Sequence, residues 1–167
     1  MRDMANSDLA TGDYNLLTMI FSLVLDTNIV LDLFHFADPV ALPILEALEA
    51  GNIVCWSDEA TLAELKRVLT YPELKLDTET ANVLLERYQK LSRPAAPGNA
   101  PPLPICKDPD DQKFLELAAR CGASLLISKD KALLVLAGKP RLPFQIMAPK
   151  QAVAAISAAV ALETIQR

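Results

Sequence analysis

The sequence predicts an α/β fold with three layers, α/β/α, and a mostly parallel central sheet. Three observations predict it. Short apolar runs at residues 22–25, 52–55, 124–127 and 144–147 have the length and composition of strands. Helical patterns lie between successive runs, and strands that alternate with helices pair in parallel with both faces covered. The runs also lack strict apolar–polar alternation, as burial on both faces requires.

Taken in order, residues 1–18 are polar and without clear periodicity. They read as an N-terminal extension before a single domain over residues 19–167, whose structured part begins at Met19. The strand Ser22–Leu25 is followed at once by Asp26, Thr27 and Asn28, and then by another apolar stretch. A helix is expected over Pro39–Ala50, with Asp38 as N-cap, proline at the first helical position and Gly51 as the stop. The strand Asn52–Cys55 leads to a helix over Ser57–Leu69, capped by its serine, with Leu62, Leu65 and Leu69 on one face. A third helix, Thr78–Leu91, offers Val83, Leu84 and Tyr88 to the core. The stretch RPAAPGNAPPLP, residues 93–104, holds Pro94, Pro97, Pro101, Pro102 and Pro104 and cannot be helical, so it reads as an extended surface connection. The helix Pro109–Arg120 sets Phe114, Leu117, Ala118 and Cys121 in register and closes near Gly122. The strands Ser124–Ile127 and Phe144–Met147 follow, and the alanine-rich helix Gln151–Leu162 ends the fold.

Composition narrows the chemistry. A length of 167 residues suits one domain with a real core. No apolar run reaches the roughly 18–20 residues that cross a bilayer. The N-terminus carries Asp3, Asp8 and Asp13, unlike the basic start of a secretory signal, so no membrane and a cytoplasmic location are expected. Cys55, Cys106 and Cys121 are odd in number and contain no C-x-x-C pair, which suggests neither a disulfide framework nor a zinc site. His35 is the one histidine; it excludes a multi-histidine metal site and leaves little room for Ser–His or Cys–His catalysis. The net charge of −5 argues against strong unassisted binding to a nucleic-acid backbone, but not against a nuclease built from carboxylates.

The carboxylates supply the functional signal. In parallel α/β sheets, sites form beyond the carboxyl ends of the strands. Asp26 terminates the first strand there, and Asp130 follows the Ser124–Ile127 strand after Ser128 and Lys129. The helix that returns to that strand starts at the same edge with Asp108, Asp110 and Asp111. Glu64 lies two turns into the helix after the second strand; at about 100° per residue it sits roughly 40° from Val68, on the border of the apolar stripe. Each acid has an ordinary explanation on its own: helix-dipole or capping roles for Asp108, Asp110, Asp111 and Asp130, a turn for Asp26, a solvated face for Glu64. Their joint placement at one edge points instead to a site. Unpaired, they would raise one another's pKa values, and a divalent cation removes that penalty. Hard oxygen donors select Mg²⁺ or Mn²⁺, which can activate water and hold a phosphodiester. Asp32, Glu46, Glu49, Glu86 and Glu116 show no such placement and read as surface acids. Lys107, Lys113, Lys129 and Lys131 lie near the edge and could hold phosphates, but read as solubilising charges.

The segments LVLDTNIVLDLF (23–34), ATLAELKRVL (60–69), CKDPDDQKFLELAARCGASLLISKDKALL (106–134) and PFQIMAPKQAV (143–153) together resemble a PIN domain, over about residues 20–155. The likeness is strongest to the subgroup grouped as toxin components of bacterial toxin–antitoxin systems. The resemblance implies a parallel sheet of strand order 3-2-1-4-5 and a metal-dependent ribonuclease that cleaves single-stranded RNA, the toxin of a type II toxin–antitoxin pair. It implies Asp26, Glu64, Asp111 and Asp130 as catalytic and metal-binding acids. Asn28 and Ser128 take supporting places, and Asp108 and Asp110 are rivals or helpers of Asp111. It further implies RNA as substrate, a homodimer, and an antitoxin segment that fills the acidic groove. Two other readings compete. One is a non-catalytic protein that keeps the acids to bind metal or a partner. The other is an aspartyl-phosphate phosphatase with Asp26 as nucleophile, against which Asn28 stands where a second aspartate is normal.

Overall fold

The computed structural model describes residues 21–166; the proposed extension 1–18 and the start at Met19 lie outside the described residues. The chain forms β1 (Ser22–Leu25), α1 (Thr27–Phe34), α2 (Leu42–Glu49), β2 (Val54–Ser57), α3 (Glu59–Val68), α4 (Thr78–Leu91), β3 (Ser92–Pro94), α5 (Gln112–Arg120), β4 (Leu125–Ile127), α6 (Lys131–Leu134), β5 (Gln145–Met147) and α7 (Pro149–Gln166). Two short 3-10 turns, Pro72–Leu74 and Pro109–Asp111, precede α4 and α5. The strands form one parallel sheet of order β3-β2-β1-β4-β5. This is the expected three-layer α/β/α architecture.

Residue period decides which layer each strand residue serves. Leu23 and Leu25 of β1, with Leu125 and Ile127 of β4, face a core that includes Ile29, Ile44, Leu65, Leu84, Tyr88 and Ile156. Val24 and Leu126 point the other way, toward Phe114, Leu117, Leu133 and Ile146. Both faces of the central strands are therefore dry, which explains their uninterrupted apolar runs. Of the expected α4 contacts, Leu84 and Tyr88 are buried, but Val83 is 59% exposed.

Several boundaries differ from the sequence expectation, each for a local reason. The second strand starts at Val54, not Asn52, because the Asn52 N–H still closes the α2 turn on the Ala47 carbonyl and pairing with β1 begins when the Val54 N–H reaches Phe21 O. Gly51, at φ +73°, makes that exit turn in the left-handed region that a side chain would resist. β2 runs on to Ser57 because β3 lies beside it, with Cys55, Trp56 and Ser57 opposite Ser92, Arg93 and Pro94. Residues 93 and 94 are thus not loop. Pro94 is tolerated because β3 is an edge strand, where a missing N–H costs no ladder bond. The Ser57 hydroxyl, expected to cap α3, is buried against the Ser92 hydroxyl at 2.8 Å. Asp58 caps instead: its Oδ1 accepts the Thr61 N–H at 2.9 Å, and Thr61 Oγ1 accepts the Asp58 N–H at 3.1 Å. α2 begins at Leu42, with Asp38 Oδ1 holding the Val40 N–H in the turn before it. α1 was not expected as a helix. Its residues Ile29, Val30, Leu31 and Leu33 are all buried, so the apolar face is too broad to show an amphipathic stripe.

Asp58 also accepts from Arg120 Nη2 at 3.0 Å, and the Arg120 Nε donates to Ala96 O, tying the proline-rich segment to the sheet. Asp58→Ala removes the cap and this anchor together. The expected cost is about 1–2 kcal/mol, or a fall of about 2–4 °C in Tm per kcal/mol, measured by thermal unfolding. An unchanged Tm would show that the cap contributes nothing.

Candidate acidic site

β1 and β4 are adjacent and in register, with Leu25 opposite Ile127, so the residues that follow them emerge side by side. The Asp26 N–H donates to Ile127 O at 3.0 Å. The Ser128 hydroxyl, fully buried, donates to Asp26 Oδ2 at 2.7 Å and accepts the Asp130 N–H at 2.9 Å. One hydroxyl thereby fixes two acids from segments about a hundred residues apart. Asp26 occupies the N-cap position of α1, yet its side chain makes no capping bond to that helix. It is buried at 4% exposure. Asp130 does cap: its Oδ1 accepts the Ala132 N–H of α6 at 2.9 Å.

The third segment arrives through the 3-10 turn Pro109–Asp111. Asp108 Oδ1 accepts the Asp110 N–H at 3.0 Å and shapes the turn. Asp111 is buried at the N-cap of α5, again with no capping bond from its side chain. Carboxylate oxygens of Asp108, Asp111 and Asp130 all lie within 4.8 Å of one another. Asp111 Oδ2 is buried and no donor reaches it. Burial, above all, pushes the Asp111 carboxyl up to about 7; the adjoining Asp130 carboxyl and the charges of Asp26, Asp130 and Asp108 add to this. The Asp26 carboxyl is also raised by burial, in part offset by its bonds from Ser128 and the Thr27 backbone, with repulsion from Glu64 and Asp130 added.

Glu64 reaches the same pocket from α3. Its Oε2 accepts the Thr27 hydroxyl, and its Oε1 accepts from Lys113 Nζ at 2.7 Å. Both oxygens are therefore engaged, and Glu64, like Asp26, stands beside the compact group of three aspartates, not within it. Asp110 is exposed and also outside that group. Asn28 is exposed on the first turn of α1. The side chains that bond Asp26 and Glu64 come from Ser128, Thr27 and Lys113 instead. Sequence reading overlooked Thr27, although it stands beside Asp26 in the D-T-N run.

Asp32 corrects the expectation of a surface acid. It is buried at 6% exposure near the end of α1, and its Oδ2 pairs with Lys129 Nζ at 2.5 Å. An acid flanked by Leu31 and Leu33 carries no sign in the sequence of which distant cation meets it. Lys113 and Lys129, expected as free solubilising charges, are both tied to acids. Glu46, Glu49, Glu86 and Glu116 are exposed, as expected.

A parallel five-stranded sheet between helical layers, with carboxylates gathered beyond its carboxyl ends, defines an α/β domain with an acidic site. The family model described as the PIN domain matches residues 22–132, more than half of the chain, and the chain belongs to the PIN domain family. Neither the curated proteins nor the solved structures compared with the chain gave a match. PIN domains are generally metal-dependent nucleases that hold a divalent cation through acidic residues, and the donors here fit such an ion. They are hard carboxylate oxygens with no nitrogen or sulfur among them, and one of them is buried without a donor. Among the described residues, no helix is long and apolar enough to cross a membrane.

Proposed function

We propose that this protein is a metal-dependent endoribonuclease that hydrolyses single-stranded RNA, and that it is the cytoplasmic toxin of a type II toxin–antitoxin pair, working as a homodimer. The observation that carries the catalytic reading is Asp111. A buried carboxylate oxygen that meets only other carboxylates costs free energy unless a cation or a proton joins it. Capping does not account for Asp26 or Asp111, whose side chains make no capping bond.

Asp108, Asp111 and Asp130, with Asp26 and Glu64 beside them, would hold Mg²⁺ or Mn²⁺. When bound, the cation supplies Lewis-acid polarisation of the phosphodiester and a lowered pKa for water. The chain's own residues do the rest. Ser128 keeps Asp26 and Asp130 aligned through two hydrogen bonds. Thr27 and Lys113 fix Glu64 facing the pocket. The dry core beneath, from Leu25, Ile127 and Leu133, holds the strand ends rigid.

Purified protein should cleave single-stranded RNA with Mg²⁺ or Mn²⁺ and stop in excess EDTA, read on end-labelled RNA, with duplex RNA cut far more slowly. Metal binding by calorimetry with no cleavage of any RNA would overturn the reading and leave a metal-binding protein. The toxin assignment fails if expression of the active enzyme leaves growth unchanged.

A further inference from the structure

The site is acidic within a chain of net charge −5, so a polyanionic substrate meets repulsion on approach. Two ammonium groups counter it, and neither is loosely placed. Lys113 lies two residues after Asp111, its side chain 23% exposed, and is fixed at 2.7 Å to Glu64, whose side chain is 11% exposed. Lys129 lies between Ser128 and Asp130, and is fixed at 2.5 Å to Asp32, whose side chain is 8% exposed. Among the described residues, Lys107 and Lys131 near the same edge have no ion-pair partner. The anchors sit at opposite ends of α1. Glu64 is bonded to Thr27 in its first turn, and Asp32 lies five residues further on, about 7.5 Å along the axis. The lysines themselves adjoin Asp111 and Asp130, whose carboxylates face each other. The two cations therefore come from the two chain segments that carry Asp111 and Asp130, each held by a different acid.

The Asp32–Lys129 pair has no evident value for stability. A buried carboxylate paired with a half-exposed lysine repays its desolvation poorly, and an apolar residue between Leu31 and Leu33 would suit the core better. What the pair does achieve is to pin a flexible four-carbon side chain beside the site. A lysine ammonium carries three N–H donors, so one held by an acid still has donors to offer another anion.

We propose that Lys113 and Lys129 are the backbone contacts of this site, each binding a phosphate of the substrate strand beside the acids, and that Asp32 is a positioning residue that fixes Lys129. The inference rests on the ribonuclease reading above.

The test is RNA binding by the full chain carrying Asp26→Asn, with Mg²⁺ present. Anisotropy of a fluorescein-labelled single-stranded RNA of mixed sequence is followed against salt. Lys113→Met and Lys129→Met should each weaken binding roughly tenfold at low salt and flatten the slope of log Kd against log salt by about 0.7, the value for one phosphate contact on a single strand. Lys90→Met, at the opposite edge of the sheet before β3, should leave the slope unchanged. Asp32→Asn should weaken binding in the parent and add nothing in the Lys129→Met background, the non-additivity of residues that act as one unit. A parent that shows no salt-dependent RNA binding overturns the ribonuclease reading itself. A parent that binds, with slopes in both lysine variants equal to that of Lys90→Met, overturns the lysine assignment alone. Full additivity of Asp32→Asn with Lys129→Met overturns the positioning role. A Tm within a few degrees of the parent's verifies the fold of each variant.

Discussion

Asp111→Asn should make the metal-free protein more stable at neutral pH while removing its activity. Burial, above all, pushes the folded-state carboxyl up to about 7, well above the ordinary aspartate range. A raised acid pKa means that the native state binds the proton more tightly than the unfolded state does. The stability from that proton is fully present below about pH 4 and is lost as pH rises toward 7. Above 7 the ionised side chain, with its donorless oxygen, is a net cost. Asparagine keeps the shape, carries no charge and offers an N–H to the neighbouring carboxylates. The Tm difference, variant minus wild type, should therefore grow between about pH 4 and pH 7 and level off above. A gain on the order of 1 kcal/mol, about 2–4 °C for a chain of this size, is expected in EDTA. Added Mg²⁺ should raise the wild-type Tm by mass action and leave the variant nearly unmoved, which reverses their order. A Tm difference flat across that pH range would show that Asp111 is not a strained acid. Loss of RNA cleavage should accompany the stability gain.

The second large effect is expected at Asp26. Asp26→Asn retains volume and can still receive the Ser128 hydroxyl on its amide oxygen. It removes one negative charge from beside the aspartate group, a charge that Asp111 and Asp130 both feel. Cleavage of single-stranded RNA should fall by a factor on the order of 10³, about 4 kcal/mol of transition-state stabilisation. The fold should persist, with an unchanged circular dichroism spectrum. Because Asp26 is buried and raised in pKa, its neutral replacement should not lower the Tm. Activity within tenfold of wild type, measured on protein free of contaminating nuclease, would remove Asp26 from the mechanism.

These two effects share an origin. Carboxylates held together at one edge of the sheet, one of them buried, repel one another, and a bound cation offsets that repulsion. The same geometry predicts instability without metal and affinity with it. Enzymes commonly accept such a cost at the site in return for function.

The local sequence determined much of this protein. The apolar runs after residue 21 determined the strands, because a segment dry on both sides must be continuously apolar. The order of strands and helices determined parallel pairing, and parallel pairing determined that Asp26 and the Ser128–Asp130 segment leave the sheet at one edge. Asp58, Asp77 and Asp108 act as caps within a few residues of themselves, where chain connectivity alone brings donor and acceptor together. Tertiary structure decided the rest, and the physical reason is sequence distance. Which aspartate of the Asp108–Asp111 run is buried depends on a 3-10 turn whose pitch no residue pattern announces. That Pro94 joins a strand depends on Ser57 and Ser92 meeting across 35 residues. That Asp32 is a buried acid, and that Lys113 and Lys129 are fixed cations and not solvated ones, depends on contacts across 49 residues for Lys113 and about twice that for Lys129. A charge shows its sign in the sequence; only the folded chain shows which opposite charge it meets and whether water lies between them.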